Sequence, residues 1–147
     1  MEWRLLKQFS CIEWSSSRCY FEPCIILCYF DTLLSNLNAA GIGCHIGSFF
    51  VGIFAYADDL VLMAPSANAM QCMLRICNDY AAQFKVVFNA SKCKCQCCHP
   101  NGTTKHATQA ACFPSFLLGS QPIEFVEKWP HLCRIVTNDC IDRDDIF

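Results

Sequence analysis

The chain has 147 residues, of which 54% are hydrophobic and 16% are charged, and its formal net charge is −2. This composition excludes a disordered or acidic-tail protein and supplies enough apolar side chains for one folded domain. The 11 Lys and Arg residues are balanced by 13 Asp and Glu residues, so composition alone does not favour tight, autonomous binding to nucleic acid.

Fourteen cysteines are a high count for this length and would suit a disulfide scaffold in a small secreted protein. However, Met1 to Ser10 is mixed in polarity and lacks the apolar core of a signal peptide, which favours reduced thiols and an intracellular location. The apolar run from Ile46 to Ala57 is much shorter than the ~20 residues of a membrane helix. It also ends in two aspartates, so no membrane span or membrane partner is predicted.

The first regular element is predicted after residue 22, because residues 1–22 show no clear period. Pro23 suits a helix start. Apolar side chains then recur at intervals of three and four, which predicts a helix over Cys24 to Ala39. Gly41 is typical of the residue that follows a helix.

A β-hairpin with an acidic turn is predicted next. Phe49 to Tyr56 is a β-type apolar run that is interrupted by Ala57, Asp58 and Asp59 and resumes from Leu60 to Met63. Carboxylates at such a turn point away from the apolar layer, into a cleft or into water.

A second helix follows the hairpin. Ser66 is a suitable N-cap, and the apolar residues from Met70 to Phe84 have helical spacing. Val86 to Phe88 is predicted to be a short strand, and Lys92 to Cys98 alternates like an edge strand.

The last third of the chain contains weaker β-type patterns. Short strands are predicted over Phe116 to Leu118, Ile123 to Val126 and Leu132 to Val136, with a turn at Gly119-Ser120, while Pro100 to Thr108 is a polar loop. The order of elements predicts an α+β fold in which an antiparallel sheet carries helices on one face.

Paired aspartates at the end of a hairpin suit phosphoryl-transfer chemistry. A nucleotidyl transferase uses two Mg²⁺ ions about 3.5–4 Å apart, and Mg²⁺ takes oxygen ligands. The alternative is that Asp58 and Asp59 are solvated turn residues, because Asp is a common turn former.

The segment from Phe54 to Leu62 reads Phe-Ala-Tyr-Ala-Asp-Asp-Leu-Val-Leu and resembles the Tyr-x-Asp-Asp box of reverse transcriptase palms. Leu34 to Asn38 and Phe88 to Lys92 are similar to flanking motifs of non-LTR (LINE-type) retrotransposon reverse transcriptases. Pro130 to Val136 resembles the primer-grip hairpin of that family. The resemblance identifies residues 23–147 as a partial reverse transcriptase palm and leaves residues 1–22 as an unassigned or degenerate N-terminal segment.

The resemblance implies RNA-directed DNA synthesis with two Mg²⁺ ions, or Mn²⁺ in their place. An RNA template, a DNA primer and deoxynucleotides would be the parental partners. Asp58 would match the main metal ligand of the box and Asp59 would support the same site. Tyr56 would lie beneath the primer end, and Ala57 would be a further substrate-binding residue.

The same resemblance assigns roles to two residues after the second helix. Lys92 would match a family lysine that donates a proton or contacts phosphate, and Asn89 would shape the adjoining turn. The alternative for Lys92 is an ordinary solvated lysine, because this side chain is nearly always exposed.

The chain also departs from the family pattern. The family has a third metal-binding carboxylate on a strand well before the box, and the strand and its motif are expected to be missing. In the segment that should be Gly-rich, Tyr20 and Phe21 would obstruct close backbone approach, Cys133 replaces a primer-grip glycine, and the thumb would follow Phe147. The upstream carboxylates are Glu2, Glu13, Glu22 and Asp31. The chain is therefore expected to be inactive; the alternative is a non-catalytic remnant that acts as a binding or interaction module.

A cysteine-rich cluster offers a third hypothesis. Cys95 and Cys98 have the C-x-x-C spacing of zinc ligands, and His106 or Cys112 could complete a site. The alternative is that these cysteines are small apolar residues of a strand, with Cys93, Cys95 and Cys97 on one face.

Overall fold

The computed structural model describes residues 5–11, 23–56, 59–98, 115–131 and 134–137. These residues contain two helices, α1 (Pro23–Ala40) and α2 (Ala67–Phe84). They also contain eleven strands: β1 (Leu5–Cys11), β2 (His45–Ile46), β3 (Phe49–Phe50), β4 (Ile53–Tyr56), β5 (Asp59–Ala64), β6 (Cys93–Cys98), β7 (Leu117–Leu118), β8 (Gln121–Pro122), β9 (Glu124–Phe125), β10 (Lys128–His131) and β11 (Arg134–Thr137).

Five of the strands form one sheet in the order β4-β5-β1-β6-β9. Its ladders are antiparallel except for the short parallel pairing of β6 with β9. The other strands form three small hairpins, β2–β3, β7–β8 and β10–β11. The α+β class expected from the sequence is therefore confirmed.

The hairpin predicted around the acidic turn is present. Ile53 pairs with Leu62 and Tyr56 pairs with Asp59, so β4 and β5 form a continuous antiparallel ladder. The predicted first strand is divided, because β3 ends at Phe50 and β4 begins after Gly52. A Cβ atom on Gly52 would lie 2.8 Å from the Cα atom of Gly43, so the close approach of two backbones requires glycine at this break.

Both predicted helices are confirmed. The Ser66 hydroxyl accepts a hydrogen bond from the Ala69 N–H at 3.2 Å and satisfies one of the free donors at the start of α2. At the other end, the Val86 N–H donates to the Ala81 carbonyl, so this residue closes the helix and does not begin the predicted strand over Val86 to Phe88.

One face of the sheet, which we call the helix face, packs against both helices. Leu60, Leu62 and Ala64 of β5 belong to a single buried cluster with Cys93 and Cys95 of β6. The helices contribute Leu33, Leu37, Met70, Met73, Leu74, Cys77 and Tyr80 to the same cluster. Strand alternation places the intervening residues of β5 and β6 on the opposite face, which we call the hairpin face.

The strand β6 is an interior strand and not the edge strand that its alternation suggested. Cys93 to Cys98 lies between β1 and β9, and Cys93, Cys95 and Cys97 are fully buried. The prediction of an edge strand was wrong, because the position of a strand in a sheet depends on pairing partners that are distant in sequence. Small cysteine side chains suit this crowded interior position.

The structure also places a strand where no element was predicted. β1 runs between β5 and β6 and pairs with both along its length. Its sequence, Leu-Leu-Lys-Gln-Phe-Ser-Cys, lacks simple alternation, so its position depends on pairing with residues far along the chain.

In the last third, Leu118 pairs with Gln121 across the predicted Gly119-Ser120 turn, and Gly119 has a φ of +62°. That turn joins β7 to the unpredicted β8, and Ile123 to Val126 contains only the short β9. Of the strand predicted over Leu132 to Val136, the described part from Arg134 to Val136 lies in β11, which pairs with β10 so that Lys128 is opposite Thr137. Leu132 and Cys133 lie outside the described residues. Residues 100–108 lie outside the described residues.

Candidate active site

The acidic end of the sheet is built by the last pair of the β4–β5 ladder. Tyr56 ends β4, Asp59 begins β5, and the two are direct partners. Only Ala57 and Asp58 separate the strands, and both lie outside the described residues. The predicted proximity of Tyr56 and Asp59 is therefore present.

Asp59 lies on the hairpin face. Its neighbour Leu60 is fully buried among the helices, so alternation directs Asp59 to the opposite side. Tyr56 and Phe54 share this face, because their cross-strand partners are Asp59 and Val61. Tyr56 is 67% exposed, whereas Asp59 is partly buried and already makes a polar or electrostatic contact.

The neighbouring strand β1 ends at the same level. Cys11 is the Cα partner of Asp59. A strand is thus present beside the acidic turn, where no element was predicted, and none of its residues from Leu5 to Cys11 is a carboxylate. A cysteine occupies the position level with Asp59.

Lys92 and Asn89 lie at this same end of the sheet. Ser10 pairs with Cys93, the residue after Lys92, just as the next residue of β1 pairs with Asp59. The strand spacing of ~4.8 Å puts the backbone of Lys92 about 10 Å from that of Asp59, across β1. The topology therefore brings together residues that are distant in sequence.

Asn89 shapes the turn that leads into β6. Its carbonyl accepts a hydrogen bond from the Lys92 N–H at 3.1 Å, and its side-chain oxygen accepts one from the Ser91 hydroxyl at 2.6 Å. Lys92 is exposed and has an interaction of its own. The turn thus fixes the backbone from which Lys92 projects.

The upstream carboxylates do not complete a described metal site. Asp31 is on α1 and lines a groove of about 500 Å³ with Ile53 and Ala55, on the helix face. It therefore lies across the sheet from Asp59. The remaining candidates, Glu2, Glu13 and Glu22, lie outside the described residues.

The β10–β11 hairpin covers part of the hairpin face, and its contacts were not foreseen from the sequence. Lys94 forms an ion pair with Glu124, and its ammonium lies 5.8 Å from the centroid of the Trp129 ring. Gln96 donates hydrogen bonds to both sides of the hairpin's open end, at the carbonyls of Glu127 and Val136. The alternation of Lys94 and Gln96 with buried cysteines was the available signal, since it places these two polar side chains on the face opposite the cysteines.

The cysteines of β6 serve the core. Cys93 and Cys95 face the helices and are fully buried. Burial, and secondarily Cys93, raises the pKa of the neighbouring Cys77 thiol to about 12. The remaining proposed zinc ligands, His106, Cys112 and the Cys98 side chain, lie outside the described residues.

Within the residues that the structure describes, no group of three or more His, Cys, Asp or Glu side chains could hold a metal ion. The oxygen donors at the acidic turn, Asp58 and Asp59, are of the type that Mg²⁺ or Mn²⁺ prefers. Neither described helix is long and apolar enough to cross a membrane.

No protein-family profile matches the chain, and no curated protein is significantly similar to it in sequence.

Proposed function

We propose that this chain is part of an RNA-directed DNA polymerase of LINE-type retrotransposon origin, equivalent to a partial palm domain. The parent enzyme would perform two-metal nucleotidyl transfer on an RNA template with a DNA primer and deoxynucleotides. The chain itself is proposed to be inactive.

The observation that carries the proposal is the register of the acidic hairpin. Tyr56 pairs with Asp59 at the end of an apolar antiparallel ladder, with Ala57 and Asp58 between them. Such a short connection holds a carboxylate more firmly than a long loop would. The register fits the Tyr-x-Asp-Asp resemblance, which requires the box to straddle two paired strands.

The arrangement of the hairpin face supports the same proposal. Tyr56 and Phe54 are exposed near the β4 edge, whereas β10–β11 covers β6 farther across the sheet. The surface between them would receive the primer and template. Asp58 and Asp59 would hold the metal ions, which neutralise phosphate charge and activate the primer hydroxyl when bound. Lys92, at the same sheet end, would contact phosphate or donate a proton.

We infer that the chain is inactive from the residue opposite Asp59. A two-metal site would need a carboxylate on β1 as well as on β5, and the β1 residue that pairs with Asp59 is Cys11. A thiol is a poor ligand for a hard cation. Purified chain is therefore expected to give no product in a primer-extension assay with an RNA template and Mg²⁺ or Mn²⁺; template-dependent synthesis would overturn this part of the proposal.

Restoring a carboxylate tests the metal site directly. Since Cys11 is the Cα partner of Asp59, Cys11→Asp would bring a second carboxylate to that level of the sheet. We expect Mn²⁺ binding, followed by electron paramagnetic resonance, to tighten by roughly tenfold or more as the anionic ligand count rises.

Two controls separate ligation from general effects. Cys11→Asn introduces a side chain of nearly the same size as aspartate but without charge, and should leave the Mn²⁺ affinity equal to that of the parent chain. Combining Cys11→Asp with Asp59→Asn should abolish the gain. If Cys11→Asp folds like the parent chain but binds Mn²⁺ no more tightly, the acidic end is not a metal site.

A second candidate function is a non-catalytic interaction module. Ile46 and Phe49 form the end pair of the β2–β3 hairpin and are 70% and 75% exposed. Paired apolar side chains in water favour contact with another surface. Ile46→Ser and Phe49→Ser should reduce self-association in sedimentation velocity if this is so, without changing Mn²⁺ affinity.

A further inference from the structure

Gln96 is the one polar side chain that is fully buried among the described residues. It lies on β6, with Cys95 before it and Cys97 after it, and both cysteines are buried too. Alternation directs Gln96 to the hairpin face, since Cys95 packs in the helix-face cluster. A buried amide on a sheet face is held there by hydrogen bonds or is destabilising.

Its amide nitrogen joins two distant parts of the chain. Nε2 donates to the carbonyl of Glu127 at 2.7 Å and to the carbonyl of Val136 at 3.1 Å. Glu127 immediately precedes β10, and Val136 belongs to β11. One side chain of the sheet therefore holds both strands of the hairpin at their open end.

The orientation of the amide follows from its partners. Both acceptors are carbonyl oxygens, so a flipped amide would place Oε1 against them without a donor. Among the described residues, the oxygen in the observed orientation has no hydrogen-bond partner. An apolar side chain would avoid this unsatisfied oxygen but could not hold the hairpin, which points to a role in orientation rather than in overall stability.

Lys94 makes another contact between the sheet and the hairpin, and its side chain is more exposed than that of Gln96. The chain leaves the sheet after Val126, whose N–H donates to the Cys95 carbonyl at 2.8 Å. Lys94 then approaches Trp129, while its ion-pair partner Glu124 is 67% exposed. The Gln96 amide supplies two buried, directional hydrogen bonds between the sheet and the hairpin.

We propose that Gln96 is a positioning residue that holds the β10–β11 hairpin over the sheet face on which Tyr56 and Asp59 lie. The consequence for the reaction, namely that the hairpin borders the space for the primer and template, rests on the proposed function. The positioning itself does not depend on metal or nucleic acid.

Hydrogen exchange of the full chain, measured by mass spectrometry without metal or nucleic acid, tests this link. Gln96→Leu removes both hydrogen bonds and keeps the buried volume similar. Peptides that contain residues 128–137 should exchange roughly 10- to 30-fold faster, as expected for two lost hydrogen bonds. Peptides that contain β5 and the first half of β6 should keep their protection.

A charge-matched pair of variants distinguishes positioning from destabilisation. Gln96→Glu places a carboxylate, which has no N–H, against two carbonyls, and should release the hairpin at neutral pH. Gln121→Glu makes the same chemical change at an exposed strand position and should leave protection unchanged. The proposal would be overturned if Gln96→Glu and Gln96→Leu lowered protection equally in all peptides of the chain. It would also be overturned if the peptides of the β10–β11 hairpin kept their protection in both variants.

Acidification supplies a readout that a general packing defect would not give. Once protonated, the carboxyl introduced by Gln96→Glu can donate one hydrogen bond and should partly restore hairpin protection, whereas Gln96→Leu cannot recover. The nearby charged groups are those of Lys94 and Glu124 on the same face, Glu127 and Lys128 at the hairpin base, and Lys7, the Cα partner of Gln96 on β1.

Protection is therefore expressed relative to the parent chain at each pH, which cancels the titration of those groups. Failure of acid rescue in Gln96→Glu, with a released hairpin, would show that the amide donors are not the link. Because these measurements need no ligand, they can fail while the Mn²⁺ experiment with Cys11→Asp succeeds, and the reverse also holds.

Discussion

The two faces of the five-stranded sheet are covered in different ways. The helix face carries Leu60 and Leu62 of β5 and Cys93 and Cys95 of β6, which pack against two helices in one apolar cluster. The hairpin face carries Asp59, Lys94 and Gln96, and its cover is attached through hydrogen bonds from Gln96 and the approach of Lys94 to the Trp129 ring. Apolar burial is non-directional and supplies stability, whereas polar contacts specify orientation. On the face with the candidate site, polar contacts therefore fix the orientation of the covering hairpin, whereas the other face is covered by apolar packing.

The largest expected effect is a difference between adjacent residues of β5. Leu62 is 1% exposed on the helix face, whereas Met63 is partly exposed on the hairpin face. Leu62→Ala should lower the free energy of unfolding by about 3 kcal/mol, because it leaves a cavity. Met63→Ala should lower it by only ~1 kcal/mol. Urea denaturation measures both, and equal effects would contradict the distinction between the faces.

The helix face also contains a buried thiol with a pH signature. The pKa of Cys77 is raised to about 12 from an ordinary value of 9.0, first by burial and then by Cys93. The folded chain therefore retains the proton while the unfolded chain loses it. Stability from this group is present below pH 9 and is lost as the pH rises towards 12, by at most ~1.4 kcal/mol per pH unit.

Cys77→Ala provides the matched comparison for that loss. Other groups titrate in the same range, so the quantity to measure is the difference in pH slope between the two chains. The slope of the parent should be steeper between pH 9 and 12. Alkylation tests the burial of this thiol independently: Cys77 should react with iodoacetamide at pH 8 only after the chain unfolds. A Cys77 that reacts quickly in the folded chain would place this part of the core in contact with solvent.

Much of the helix face could be predicted from the sequence, and much of the hairpin face could not. Both helices and the β4–β5 hairpin depend on periods and turns that are visible within about twenty residues. The position of β1 depends on pairing with Asp59 and Cys93, far along the chain, and its own pattern is mixed. The same is true of the candidate site. Tyr56 and Asp59 could be predicted from the local sequence, whereas the importance of Cys11 depends on the register of the sheet.

The contacts of Gln96 could not be predicted from the sequence either. Its acceptors are 31 and 40 residues away, on a hairpin whose strands carry weak signals. Nothing in a Cys-Lys-Cys-Gln-Cys-Cys run specifies where those carbonyls will lie. Alternation could show that Gln96 shares a face with Lys94, but only the tertiary arrangement shows that this face is covered.

The ion pair on the hairpin face should contribute much less than core burial. Lys94 is 17% exposed and Glu124 is 67% exposed, so solvent screens their attraction. A double-mutant cycle with Lys94→Met and Glu124→Gln should give a coupling of ~0.5–1 kcal/mol. Raising the salt concentration to about 1 M should reduce this coupling, whereas the effect of Leu62→Ala should persist. A coupling as large as the loss in Leu62→Ala would remove the energetic contrast between the faces.

The smallest expected effect lies at the C-terminal end of α2, where Lys85 has a strained backbone conformation. Lys85 has a φ of +54°, in the left-handed region that favours glycine, and the following N–H donates to the Ala81 carbonyl. Lys85→Gly should raise the free energy of unfolding by roughly 0.5 kcal/mol, because relief of strain exceeds the added freedom of the unfolded chain. Lys85→Ala keeps the strain and should give no gain. If both variants were equally stabilising, removal of the lysine charge would be the cause, and the cap geometry would carry no measurable strain.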